Sequence, residues 1–121
     1  MPMQTIVHTR FFATSAKHCG FTEQDTEKLE TMLAKNPEAG DEIKGSGGCR
    51  KVRVAGRGKG KSGGYRVITF FSGPAYPVFL LVVYSKGMQE DISDEDVSGF
   101  RKLTKELLTA YKPRMVKAPK R

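Results

Sequence analysis

A glycine-rich loop with three cations is the first feature of the sequence that suggests chemistry. Residues 55–62 read Ala-Gly-Arg-Gly-Lys-Gly-Lys-Ser, so Arg57, Lys59 and Lys61 alternate with glycines. The run satisfies a loose form of the P-loop pattern, in which backbone amides hold the phosphates of a nucleotide. It therefore indicates phosphate binding, either of a nucleoside triphosphate or of another phosphate-bearing ligand.

The residues after this loop argue against a nucleoside triphosphate. A true P-loop runs from a strand into a helix, and the N-terminus of that helix faces the phosphates. Here Gly63 and Gly64 lead into YRVITFF, whose aromatic and β-branched residues predict a strand. We therefore interpret the P-loop match as accidental. A connection between two strands, with cations separated by glycines, suits a phosphate polymer better than one buried nucleotide.

The placement of charge supports a polyanionic partner. The chain carries a net charge of +8, and residues 43–89 contain nine lysines and arginines but no aspartate or glutamate. All 13 acids lie outside this segment. An ordinary solvated surface mixes both signs, so one-sided segregation indicates a nucleic acid or another polyanion. The alternative is a basic surface that serves solubility alone.

Length and composition limit the other classes of function. A chain of 121 residues suits one domain with one modest core. The longest apolar run, Val78–Val83, is too short to span a membrane, and the N-terminus lacks a secretion-signal pattern. Cys19 and Cys49 are typical of a reduced cytoplasmic protein, although a disulfide between them stays open. The cysteines and two histidines lack the spacing of a zinc site. We expect no cofactor.

Local patterns predict an α+β fold of one domain, with helices first, then a mainly antiparallel sheet, then a C-terminal helix. We assign residues 1–112 to this domain and 113–121 to a basic tail. Residues 38–48 predict a polar connector, and the apolar residues Leu29, Met32 and Leu33 are expected to face the core. The predicted helices cover 10–19, 22–36 and the residues after Ser93, and the predicted strands cover 49–55, 65–72 and 78–84, with a strand or lead-in at 4–9.

Two side chains of the predicted sheet stand near the cationic loop. Arg66 begins the second main strand and Tyr84 ends the third, so these ends are neighbours in an antiparallel pair. Whether the two side chains share a face depends on a register difference of one residue. If they do, a guanidinium and a phenol converge beside the loop, with Lys86 just beyond. The alternatives are that Tyr84 covers the core and that Arg66 is an ordinary edge charge.

Three short runs carry a resemblance to a known family. They are GSGGCRKVR at 45–53, GKGKSGGYR at 58–66 and YSK at 84–86. With the C-terminal helix, they resemble the RelE superfamily and are similar to its HigB-type toxins over residues 22–111. The resemblance implies a metal-independent ribonuclease that cuts messenger RNA in the translating ribosome. It also implies a HigA-like antitoxin with a helix-turn-helix fold, and contact with operator DNA through the toxin–antitoxin complex.

The resemblance also implies roles for individual residues. Arg66 would stabilise the phosphate or the leaving group, and Tyr84 would transfer a proton or stack on a base. The identity of the general base stays open. The alternative function is a non-catalytic basic module that binds RNA or DNA with the same cations. The implied catalytic residues are Lys59, Lys61, Arg66, Tyr84 and Lys86, and the implied phosphate-binding residues are Arg50, Lys51, Arg53 and Arg57.

Overall fold

The structure is a computed structural model that describes residues 4–55, 64–86 and 92–111. None of the helices within these residues is long and apolar enough to cross a membrane. The helices are α1 (Arg10–Cys19), α2 (Glu23–Lys35) and α3 (Asp94–Ala110), and the strands are β1 (Ile6–His8), β2 (Asp41–Glu42), β3 (Cys49–Val54), β4 (Tyr65–Phe71) and β5 (Val78–Ser85).

The helix ends lie where the sequence predicts them. Thr22 precedes α2, and its hydroxyl accepts a hydrogen bond from the backbone N–H of Asp25, while the Asp25 carboxylate accepts one from the N–H of Thr22. Ser93 and Asp96 form the same reciprocal pair at the start of α3. Gly20 ends α1 with a φ of 77°, a left-handed conformation that glycine adopts without strain. Local capping therefore confirms the predicted helix boundaries.

The sheet has the strand order β1-β5-β4-β3-β2. Strands β3, β4 and β5 form the predicted antiparallel meander, and β1 pairs with β5 in parallel, so the sheet is mixed. Residues 38–48, predicted as a polar connector, also contain a short strand that was not predicted, because Asp41 and Glu42 form β2 and pair with Lys51 and Arg50. A two-residue acidic segment has no strand pattern of its own, so only its pairing with β3 makes it a strand.

Helices cover both faces of the sheet. One face packs against α1 and α2, where Leu29 and Leu33 are buried as predicted. Met32 was also expected to face the core, but its side chain is 37% exposed. The other face packs against α3. Because β5 is buried on both sides, its residues form a continuous apolar run. The face toward α3 is formed by Cys49, Ile68, Phe70, Phe79, Leu81 and Tyr84, against which Phe100, Leu103 and Leu107 pack.

A register shift interrupts the pairing of β4 with β5. Ile68 pairs with Val82, whereas the next residue, Thr69, pairs with Leu80. Leu81 is therefore an extra residue on β5, which makes a β-bulge. Because strand side chains alternate between faces, one extra residue exchanges the faces of every residue that follows it.

The turn between β2 and β3 is shaped to receive α3. Gly47 has a φ of 86°, and a Cβ at this position would lie 2.7 Å from the hydroxyl of buried Thr104. In addition, Arg101 donates a hydrogen bond from Nη1 to the carbonyl oxygen of Gly45 at 3.0 Å. The glycines of this turn thus permit the close approach of α3 to the sheet.

Cys49 lies fully buried beneath α3 and predicts a pH effect on stability. Burial raises the pKa of its thiol from 9.0 to about 11, against a smaller opposing effect of a hydrogen bond with Ser46. The native protein then holds this proton more tightly than the unfolded chain, so stability falls as pH rises from 9 to 11. We expect a loss of about 2 kcal/mol in the free energy of unfolding, since each pKa unit corresponds to about 1.4 kcal/mol.

Denaturant unfolding of the wild type and of Cys49→Ala across this pH range measures the effect. Subtraction of the two curves removes the titration of lysines and tyrosines, which both proteins share. A difference between the two proteins that does not change with pH would contradict the prediction.

Candidate nucleic-acid interface

Three of the predicted site residues form one row across the sheet. Arg53 of β3 pairs with Arg66 of β4, and Arg66 pairs with Tyr84 of β5. Directly opposed residues of an antiparallel pair point to the same face, with Cβ atoms about 5 Å apart. The structure therefore decides the register that the sequence left open. We call Arg53, Arg66 and Tyr84 the cross-strand row.

The bulge at Leu81 creates this row. Without the extra residue, continuous pairing would place Tyr84 opposite Tyr65, on the face that packs against α1 and α2. With it, Tyr84 lies opposite Arg66 and on the same face as Arg53. The bulge is thus the local feature that places Tyr84 next to Arg66 and on the same face of the sheet as Arg53.

Lys86 lies just beyond the row, at the end of β5. Its backbone N–H donates a hydrogen bond to the carbonyl oxygen of Gly64 at 3.2 Å, and the residue is exposed. Gly64 has a φ of 78°, which directs the chain into β4. Lys86 is thereby fixed at the same end of the sheet as the row, in agreement with its predicted place.

Arg57, Lys59 and Lys61 lie outside the described residues, so their part in the site stays a prediction. The described chain on either side of them belongs to the same end of the sheet. Val54 and Tyr65 form the pair of β3 and β4 residues that immediately follows Arg53 and Arg66. The chain segment that carries the three cations therefore joins β3 and β4 at the strand ends next to Arg53 and Arg66.

Lys51 shares the face of the row but has an acidic neighbour. It lies two residues before Arg53 on β3, so both side chains point to the same side of the sheet. On its other side Lys51 is paired with Asp41 of β2. Its charge is therefore partly offset, and nothing in the sequence indicated this pairing.

Arg50 is not brought to the row. It lies on the opposite face of β3, where it is paired with Thr69 and Glu42. Its guanidinium donates a hydrogen bond to the carbonyl oxygen of Gly40 at 3.2 Å. This arrangement favours a structural role for Arg50 at the sheet edge, and it makes Arg50 a matched control for the arginines of the row.

Two guanidinium groups of the row lie side by side, which concentrates positive charge. Within residues 4–55, 64–86 and 92–111, no lysine or arginine forms an ion pair within 4.0 Å. Arg53 is exposed, and Arg66 is half-buried with Nη1 3.5 Å from the carbonyl oxygen of Tyr65. Like charges directly opposed across two strands repel each other. A bound phosphate would relieve this repulsion, so the geometry suits an anionic ligand.

Tyr84 is the least accessible member of the row. It is 7% exposed, its hydroxyl oxygen is buried, and its ring belongs to the cluster beneath α3. The accessible part of the row is therefore the arginine pair. Proton transfer by Tyr84 requires a ligand to reach its covered oxygen.

The start of β4 is held by a contact that the sequence analysis missed. The Tyr65 hydroxyl donates a hydrogen bond to the carbonyl oxygen of Gly20 at 3.4 Å, and its ring packs edge-on against Phe21 at 4.9 Å between centroids. Tyr65 points away from the row, toward the corner between α1 and α2. This contact fixes the backbone that positions the next residue, Arg66.

The remaining reactive groups lie away from the row. Cys19 and Cys49 are both free thiols, which answers the open question of a disulfide between them. His8 interacts with Glu30. In the described part of the chain, no group of three or more histidine, cysteine, aspartate or glutamate residues is arranged to hold a metal ion.

Comparison with known proteins gives two findings. A family model described as the RelE toxin of the RelE/RelB toxin–antitoxin system matches residues 4–121. Among solved structures, the chain is similar to a double mutant of the Escherichia coli toxin RelE in the free state, with a TM-score of 0.54. Their sequence identity is 16%, and the match covers 73% of this chain and 88% of that chain. At this identity the structural likeness shows the α+β fold, as the sequence predicted.

The charge layout of β3 predicts opposite effects for two of its arginines. Arg53→Gln removes the repulsion with Arg66, so we expect the free energy of unfolding to rise by about 0.5 kcal/mol at low salt. Arg50→Gln removes the attraction of Glu42 and the hydrogen bond to Gly40, so we expect a decrease of similar size. Thermal and urea unfolding at low and high ionic strength measures both changes.

The two variants make the same arginine-to-glutamine change on the same strand. The difference between their free energies of unfolding therefore measures the effect of where each charge lies. The gain in Arg53→Gln should shrink at high salt, because exposed charges are screened. If both substitutions change the free energy of unfolding by the same amount, the charged residues paired with Arg53 and Arg50 do not determine the effects.

Proposed function

The chain belongs to the RelE toxin family, and we propose that it is a toxin that cleaves messenger RNA in the translating ribosome and thereby inhibits translation. The observation that carries the proposal is the opposed pair Arg53 and Arg66 beside Tyr84, on a face where none of the described residues forms an ion pair with either arginine. Within the family, we propose a HigB-type toxin, on the residue runs at 45–53, 58–66 and 84–86.

The proposed reaction needs no metal ion. The ribose 2′-hydroxyl attacks the adjacent phosphorus, and the bond to the 5′-oxygen breaks. The products are a 2′,3′-cyclic phosphate and a 5′-hydroxyl end. The 2′-hydroxyl proton passes to a base, and the leaving 5′-oxygen receives a proton. Negative charge grows on the phosphate in the transition state, so preorganised cations lower the barrier. We propose that Arg53, Arg66 and Lys86 supply these cations together with Lys59 and Lys61.

Tyr84 is the proposed proton-transfer or base-stacking group. Its hydroxyl oxygen is covered in the free protein, so this role requires substrate binding to open the cluster beneath α3. Neither histidine lies on the row, since His8 contacts Glu30 and His18 lies on α1. A phenol that becomes accessible only with RNA in place would limit cleavage to correctly bound substrate.

The proposed partners follow from the family. The antitoxin is proposed to be HigA-like, with a helix-turn-helix fold, and operator DNA would be contacted through the toxin–antitoxin complex. The proposed place of action is the cytoplasm, where ribosomes and messenger RNA are found.

A second candidate is a non-catalytic module that binds RNA or DNA. The covered hydroxyl of Tyr84 favours it, because the accessible part of the row then consists of cations alone. Both functions predict that nucleic-acid binding weakens as salt is added. With four contacts to single-stranded phosphates, the logarithm of the binding constant falls with the logarithm of the salt concentration with a slope of about −3. Only the nuclease predicts new 5′-hydroxyl ends in translated messenger RNA.

Substitutions in the row test the nuclease directly. We expect Arg66→Ala to lower the rate of cleavage at least about 100-fold, as loss of a transition-state donor typically does. We expect a comparable loss in Tyr84→Phe, which removes only the hydroxyl and keeps the buried ring. Sequencing of 5′-hydroxyl ends in a reconstituted translation reaction measures cleavage.

Arg50→Ala is the matched control, because it removes an arginine from the opposite face of the same sheet, and it should cleave within about threefold of the wild type. Full activity in both row variants would remove the proposed site. A wild type that binds RNA without cleaving it would support the non-catalytic module instead.

A further inference from the structure

The second half of α1 contacts the backbone of β5 next to the cross-strand row. The Ser15 hydroxyl accepts a hydrogen bond from the Val83 N–H at 3.0 Å, and the Cys19 thiol donates one to the Val83 carbonyl oxygen at 3.9 Å. Because Ser15 and Cys19 are four residues apart, they lie on the same face of the helix. One helix face therefore holds both backbone polar groups of the residue that immediately precedes Tyr84.

These contacts replace the hydrogen bonds of a neighbouring strand. β1 pairs with β5 only as far as Leu80, and beyond that point α1 lines the outer edge of β5. Val83 is 1% exposed, so its N–H and C=O groups need partners within the protein. The Ser15 hydroxyl donates its own proton to the Phe12 carbonyl oxygen at 3.0 Å, which leaves a lone pair of the Ser15 oxygen for the Val83 N–H.

The contacts with Val83 restrain the peptide unit that carries Tyr84. The carbonyl group of Val83 and the N–H of Tyr84 belong to one planar peptide unit, so a bond to this carbonyl also sets the orientation of the Tyr84 amide. Val83 lies two residues after the bulge residue Leu81, where the pairing with β4 changes register. Because a bulge disrupts the ladder locally, the bonds at the outer edge supply a second restraint on the final residues of β5.

The same end of α1 also contacts the residue before Arg66. Gly20, which follows α1, accepts a hydrogen bond from the Tyr65 hydroxyl at 3.4 Å. Tyr65 immediately precedes Arg66, and Arg66 pairs with Tyr84. The last turns of α1 are therefore connected to both strands at the point where these two row residues meet.

We propose that Ser15 is a positioning residue that holds Tyr84 opposite Arg66, an inference that rests on the proposed function. Its hydroxyl acts through the backbone of Val83 and not by contact with RNA. Catalytic groups must lie within hydrogen-bond reach of the reacting atoms, and a misplacement of about 1 Å can cost about 100-fold in rate. Loss of one of the two edge bonds leaves the other in place, so its effect is smaller.

Ser15→Ala tests the positioning role. The substitution removes the acceptor of the Val83 N–H, so we expect kcat for messenger RNA cleavage to fall about tenfold. KM should stay within about twofold, because the cations that bind phosphate are unchanged. Ser15→Thr keeps the hydroxyl and should restore kcat to within about threefold of the wild type. An unchanged kcat in Ser15→Ala would overturn the proposal, as would a tenfold loss in Ser15→Thr.

Ser46→Ala is the matched control, because Ser46 makes the same two kinds of bond elsewhere in the sheet. Its hydroxyl donates to the Ile43 carbonyl oxygen at 2.6 Å and accepts from the N–H of Cys49 at 3.0 Å, at the end of β3 far from Arg53. Its loss should lower the free energy of unfolding, and kcat should stay within about twofold of the wild type. A tenfold loss of kcat in this control would mean that general destabilisation explains both variants, which would overturn the positioning role.

A double-mutant cycle shows whether Ser15 acts through Tyr84. In the Tyr84→Phe background the positioned hydroxyl is absent, so Ser15→Ala should change kcat less than about twofold. A further tenfold loss in that background would show that Ser15 acts on another group and would overturn the proposal.

Amide hydrogen exchange tests the contact independently of cleavage. We expect the amides of Val83 and Tyr84 to exchange at least about tenfold faster in Ser15→Ala than in the wild type, while the amides of β3 keep their rates. If the wild type cleaves no messenger RNA, the proposed function fails, and the exchange rates still test the restraint. Equal exchange at Val83 and Tyr84 in both proteins would overturn it, and so would faster exchange spread evenly over the whole sheet.

Discussion

The register of β4 against β5 is the constraint on which the site depends. The extra residue Leu81 reverses the faces to which the final side chains of β5 point, so that Tyr84 lies on the same face as Arg66. A strand offers only two faces, and a shift by one residue exchanges them completely. Both faces of β5 are buried, so the apolar residues on either side of the bulge keep a packing partner. The bulge can therefore redirect the Tyr84 side chain without leaving an apolar strand residue in solvent.

The charges around this row require stabilisation from elsewhere in the fold. Arg53 and Arg66 oppose each other across two strands, an arrangement that lowers stability in the free protein. The opposite side of the sheet compensates through buried apolar packing and the contact of Tyr65 with Gly20 and Phe21. A phosphate chain would remove the repulsion on binding. The free protein thus contains a modest unfavourable charge interaction that a bound anion would relieve.

Helix α1 covers the outer edge of β5 beyond the end of β1. Because α1 replaces a strand along the second half of β5, the edge is protected from pairing with other chains, and an apolar channel opens beside it. The channel and the row share Tyr84.

The sequence by itself determined the helix boundaries and the three main strands, because capping residues and strand alternation are local features. It also separated Arg50 from Lys51 and Arg53 by alternation along β3. Only the tertiary structure decided the pairing of Arg66 with Tyr84, the burial of the Tyr84 hydroxyl and the strand formed by Asp41 and Glu42. These features depend on contacts between distant segments, on one bulge residue and on the placement of α3, and none of them leaves a periodic signal in the chain.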